Sequence, residues 1–215
     1  MECSLPKLVV MKALRRHDGF TLVDMLVVMA LMAIVIGIAL PTAGTTSRGF
    51  RLKGDAQAVA NIVSLAKMRA ASRYTRTRVR ADLASRSFRL EVWTPTNAAN
   101  KLVGSWVVDG GDVQLSNGVS FSVAGRTVAP VNTQAVLGQS PLCSDQNSLT
   151  ANKVANTSCI VFNSRGIPID DSGDPMGGNA LYISDGSSVY GTTITATPLV
   201  RQWWGNSTTG AWVKQ

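Results

Sequence analysis

Few residues of this 215-residue chain have the types and spacing that catalysis requires. Its single histidine, His17, lies among basic residues ahead of a long apolar run, so no imidazole remains beyond it for a triad, an acid–base pair or a zinc site. The glycine-rich stretches GGDVQLSNG and DPMGGN lack the spacing of a phosphate loop. The residues therefore argue against an enzyme, and no cofactor is expected. Asp170, Asp171 and Asp174 in IDDSGDP offer the oxygens that calcium takes, but their spacing is not a full EF-hand pattern, and a plain turn is the simpler reading.

Binding chemistry is better represented. Lys67, Arg69, Arg73, Arg76, Arg78, Arg80, Arg86 and Arg89 crowd one segment against a single acid, Asp82. Alternation places Arg76, Arg78 and Arg80 on one face of a strand, with Arg86 and Arg89 close behind. Such a stripe suits the phosphates of DNA. Tyr74 is near enough to stack on a base, although aromatic residues are not interleaved as a single-strand platform requires. The plainer alternative is a solvated sheet face, or a seam against acidic neighbours. The formal charge of +8 fits either reading.

One acid stands where acids are rare. Phe20 to Leu40 is an almost wholly apolar run of 21 residues, yet Asp24 sits near its start. At about 1.5 Å per residue the run spans about 30 Å, the thickness of one hydrocarbon core. Lys7, Lys12, Arg15 and Arg16 precede it, so the positive-inside rule keeps the N-terminus cytoplasmic and sends the rest across. A secretory signal has a shorter core and a small-residue cleavage site, so a retained membrane helix is expected here. In an exported domain, Cys143 and Cys159, sixteen positions apart, read as a disulfide, with two buried thiols as the alternative.

The elements that must position these residues follow from periodicity. After PTAGTTSRGF, where Gly37, Pro41 and Gly44 are expected to interrupt or loosen the helix, a second helical stretch begins. In it Val59, Ile62, Val63, Ala66 and Ala70 share one face. Val79, Ala81 and Leu83, then Phe88, Leu90 and Val92, alternate about ASRS as a β-hairpin with one buried face. Further strands are expected at LVGSWVV, GVSFSV, SCIVFNSRG, ALYISD, PLVRQWW and AWVKQ. Trp203, Trp204 and Trp212 flank the last turn, either as buried hairpin residues or as a subunit contact. Helix first and strands after define an α+β chain with an antiparallel sheet.

The stretch GFTLVDMLVVMALMAIVIGIALP resembles the class III signal of type IV pilins and type II secretion pseudopilins. The resemblance implies a leader of residues 1–19, cut by a prepilin peptidase between Gly19 and Phe20, with N-methylation of Phe20 and loss of His17. Met11 offers a second start, with the short leader MKALRRHDG. It also implies a pilin fold: a helix of residues 20–40 for membrane and filament core, a linker and amphipathic second half at 41–73, and a periplasmic β-rich domain at 74–215. Asp24 stands where the family usually has glutamate, the assembly residue that meets a neighbour's N-terminal ammonium. AQAVANIVSLAKMRAASRYTRTRVR, GVSFSV, CIVFNSRGIP and NALYISDG look like the GspH/FimT/FimU branch of minor pilins. Partners implied are other pilins or pseudopilins, prepilin peptidase, the inner membrane and, through the arginine stripe, DNA. FimT-type members bind DNA with a Gly-Arg-x-Arg tail; in that region this chain has only Arg201 and Lys214.

Overall fold

The computed structural model describes residues 21–97, 99–206 and 210–215, with the side chains of 38–46 outside the description. Helix α1 covers Leu22–Arg73, 52 residues. The expected interruption after residue 40 is absent: the backbone there is helical. Proline removes one helical hydrogen bond, a loss that helix-forming flanks on both sides can offset. The chain nevertheless divides into two compact units, Met1–Gly44 and Thr45–Gln215.

In the second unit, α1 ends at Arg73 for a local reason. Tyr74 adopts a left-handed conformation, φ 50°, and the Thr75 N–H donates to the Ala70 carbonyl at 3.3 Å. That is the Schellman pattern, with tyrosine where glycine is usual. Among the described residues eleven strands follow: β1 Thr77–Asp82, β2 Ser87–Pro95, β3 Gly104–Val108, β4 Val113–Gln114, β5 Ser120–Phe121, β6 Thr157–Phe162, β7 Pro168–Ile169, β8 Asn179–Ser184, β9 Ser188–Ile194, β10 Val200–Asn206 and β11 Val213–Lys214. They form two antiparallel sheets. The first is ordered β3-β2-β1-β6-β7 with β4 also on β2, and the second β11-β10-β9-β8-β5. This is the expected α+β pilin-type fold, with two sheets where one was expected.

The amphipathic stretch of α1 joins them. Leu52, Ala56, Val59, Ile62, Val63, Ala66 and Ala70 are buried together with Val79, Ala81, Phe88, Leu90, Ile160 and Phe162 of the first sheet and Leu181, Ile183 and Ile194 of the second. Each buried Val, Leu or Ile contributes about 1.5–3 kcal/mol, so this helical face is the main adhesive of the unit. Small residues at 56, 66 and 70 let strands approach the helix closely: the Thr77 hydroxyl donates to the Ala66 carbonyl at 2.8 Å. At the turn after β6, a Cβ on Gly166 (φ 73°) would lie 2.9 Å from the Lys67 carbonyl oxygen, so glycine is required on both conformational and steric grounds.

Sequence periodicity missed β9, although SVYGTTI is rich in β-formers. Its Gly191 broke the pattern, and the structure explains why glycine is there. Gly191 pairs with Tyr182 across β8–β9, and an added Cβ would meet the Tyr182 ring at 2.5 Å. The fully buried ring fills the missing side chain's space and its hydroxyl donates to Gln134 Oε1 at 2.8 Å. Gly191→Ala is therefore expected to cost about 1–3 kcal/mol by overpacking, read as a lowered urea midpoint. Gly111→Ala, with open space around it, should change stability by less than about 0.5 kcal/mol.

Candidate functional site

Two regions concentrate the predicted site residues: the start of α1 and the outer face of the first sheet. Gly19 and Phe20 lie outside the described residues. Beside them, Thr21 caps α1. Its hydroxyl donates to Asp24 Oδ2 at 2.8 Å, its N–H donates to the same oxygen at 3.1 Å, and the Asp24 N–H points back to the Thr21 hydroxyl at 3.3 Å. This is a reciprocal capping box, which satisfies N–H groups that have no helical acceptor and puts a negative charge at the positive end of the helix dipole. The signal was present in the sequence as Thr-x-x-Asp before an apolar run. Asp24 thus has a role within one chain, whatever it meets in an assembly.

From Leu22 to Ile36 every described side chain is exposed, with Leu22 at 81% and Met29 at 74%. A helix that is apolar on all sides needs lipid or other helices around it. Among the described residues, no helix is long and apolar enough to cross a membrane.

The arginine stripe is not laid out as expected. Arg78, predicted on a solvated face, is fully buried. It sits opposite Glu91 on β2, and its Nε donates to Glu91 Oε2 at 2.5 Å. Its Nη1 donates to the Ser144 carbonyl at 2.8 Å and hydroxyl at 3.0 Å, and its guanidinium lies 4.3 Å above the Trp106 ring. Burial pushes the Arg78 guanidinium down from its usual range, while the charge and hydrogen bond of Glu91 oppose the shift. Arg89 donates to Glu91 Oε1 at 2.7 Å and lies 3.4 Å from Asp112. Arg69 and Arg73 share Asp109, each at 3.3 Å. Among the described residues, Arg76, Arg80 and Arg86 form no ion pair, and with Arg78 withdrawn they do not make a continuous cationic face.

What covers Arg78 is the Asn/Ser-rich segment between Gly138 and Thr157. Cys143 and Cys159 are joined by a disulfide, and Cys159 is the β6 partner of Arg80. The segment is thus tied to the outer face of the sheet. The Trp106 N–H donates to the Gln146 carbonyl at 2.8 Å, its indole to the Ser148 carbonyl at 2.9 Å, and its ring meets Trp93 edge-on at 5.3 Å. Periodicity could not show this, because Arg78, Glu91 and Trp93, on the outward-alternating set of β1 and β2, are buried as deeply as the inward set.

The remaining candidates have local roles. Asp170 Oδ1 accepts from the Ser172 and Asp174 N–H groups, both at 2.9 Å, and Asp171 accepts from Lys153 Nζ at 2.6 Å. Among the described residues, no acidic, cysteine or histidine group is placed to hold a metal ion. Trp203 is buried with its indole on Thr193 Oγ1 at 2.9 Å, and Trp204 is half-buried. Trp212 lies 5.8 Å from the Tyr182 ring and 4.0 Å beneath Arg126. Burial pushes both Arg126 and the Tyr182 hydroxyl towards their neutral forms, the arginine down and the tyrosine up.

Residues 14–40 match the prokaryotic N-terminal methylation motif. With a helix-then-antiparallel-sheet fold behind it, the chain resembles type IV pilins in both its N-terminal motif and its architecture. The motif supports a pilin or pseudopilin subunit that is processed by a prepilin peptidase, assembles with other pilins, and passes from a membrane-anchored precursor to a filament. No curated protein and no solved structure matches the chain.

Glu91→Leu would strand the Arg78 charge in the interior and is expected to cost about 3–5 kcal/mol in denaturant unfolding, whereas Arg78→Met with Glu91→Leu should recover most of that loss. Replacing both Cys143 and Cys159 by Ser should lower stability by about 3 kcal/mol, from the loop the disulfide closes. It should also shift tryptophan emission to the red as Trp106 loses its cover.

Proposed function

We propose that the chain is a minor pilin or pseudopilin of the GspH/FimT/FimU type, a structural subunit of the complex that primes or caps a type IV pilus or a type II secretion pseudopilus. The observation that carries this reading is the match of residues 14–40 to the methylation motif, with Gly19 and Phe20 inside it. The continuous sleeve of exposed apolar side chains behind Asp24 supports it further, since such a surface requires lipid or neighbouring helices. On this reading residues 20–40 anchor the precursor in the inner membrane. A peptidase then cuts between Gly19 and Phe20, Phe20 is methylated, and the β-rich domain lies in the periplasm.

Asp24 has two uses in sequence. In the separate chain it closes the capping box with Thr21; in the assembly it receives a neighbour's N-terminal ammonium, a pairing that makes a buried carboxylate tolerable. The protein works as a scaffold and not as a catalyst, and its specificity lies on the sheet surfaces.

Intact mass after co-expression with a prepilin peptidase tests the processing. The wild type should lose residues 1–19 and gain one methyl group, and Gly19→Val should keep its leader. An uncut wild type, under conditions that process a control pilin, overturns the reading. Asp24→Ala should still be cut but fail to co-purify with partner pilins, and Asp24→Glu should restore co-purification.

A further inference from the structure

The side of the domain where α1 ends and β2 runs out holds a cleft of about 570 Å³. Arg73, Arg76 and Lys101 stand around it, no carboxylate among the described residues lines it, and Leu102 and Pro95 supply exposed apolar wall over the buried Trp93. Arg73 is already engaged with Asp109, but Arg76 and Lys101 form no ion pair among the described residues. Both sit on backbone held in place by Trp93. The Trp93 N–H donates to the Arg76 carbonyl at 2.9 Å, and its indole donates to the Lys101 carbonyl at 2.9 Å. The Thr75 hydroxyl adds a bond to the Trp93 carbonyl at 2.9 Å. Tyr74, 86% exposed and in the left-handed conformation, stands at the rim.

We propose that this cleft binds an acidic peptide segment of a partner protein, with carboxylates on Arg76 and Lys101 and an apolar side chain against Leu102 and Pro95. Two cations carried on anchored backbone beside an apolar wall suit a ligand with both kinds of group. A nucleic acid fits less well, because it asks for a row of cations and open aromatic faces. Here Arg78 is buried out of that row, and the Trp93 ring is packed on Trp106. A second copy of this chain is also a poor occupant, given its net charge of +8. The property belongs to the folded domain and holds whether or not the chain enters a filament.

Fluorescence anisotropy with the full chain in nonionic detergent tests it, using a short labelled peptide of alternating glutamate and leucine. Its glutamine-for-glutamate analogue and a labelled oligothymidine serve as comparisons. The acidic peptide should bind, and Arg76→Glu and Lys101→Glu should each weaken it about tenfold, near 1.4 kcal/mol. Arg86→Glu, exposed and away from the cleft, should leave binding unchanged. Equal binding of the glutamine analogue, or indifference to both cleft variants, overturns the proposal. So does oligothymidine that binds more tightly than the peptide and is lost in the same variants, which would make the cleft a nucleic-acid site.

Discussion

The globular unit depends on one buried ion pair and what hides it. Arg78 and Glu91 face each other across β1 and β2 with side chains 1% and 2% exposed. A pair at that depth is tolerable only if further contacts offset its lost hydration. Ser144 accepts two hydrogen bonds from Arg78 and the Trp106 ring of β3 lies over its guanidinium, and Ser144 reaches the pair on the segment that the 143–159 disulfide ties to the sheet. The sheet is thereby covered on its helix side by aliphatic packing and on its outer side by a polar, cross-linked layer. That second cover turns a hairpin with one wet face into the middle of a structure.

A consequence is that positive charge on this protein is local. Five of the basic residues in the dense segment, Lys67, Arg69, Arg73, Arg78 and Arg89, are spent on internal contacts: Lys67 on the Pro198 carbonyl, the arginines on Asp109, Glu91 and Asp112. What is left for partners is a few cations at the edges. A cleft that sets one of them, Arg76, with Lys101 beside apolar wall is a more selective surface than a stripe, since it asks its partner for shape as well as charge.

At the other end of the chain the same economy appears in Asp24. A carboxylate at the third position of a helix, capped back to Thr21, contributes to the start of α1 in the single chain. Surrounded by side chains that are apolar on every side of the helix, this charge is the one polar handle in its stretch.

The amino-acid order by itself determined the N-terminal motif, the apolar run with its acid, the face of Val59 to Ala70 and the β1–β2 hairpin, because each is a local pattern with period 3.6 or 2 or a short fixed spacing. It also carried the cysteine spacing, though the pairing needed an exported setting to be read. It did not reveal that Arg78 is buried, that β9 completes a second sheet, or that the helix continues past Pro41. Alternation marks which residues share a face, but not whether that face meets water. Only the tertiary structure, by laying a cross-linked segment over one sheet and a tyrosine ring over Gly191, decided which charges are internal and which remain to meet a partner.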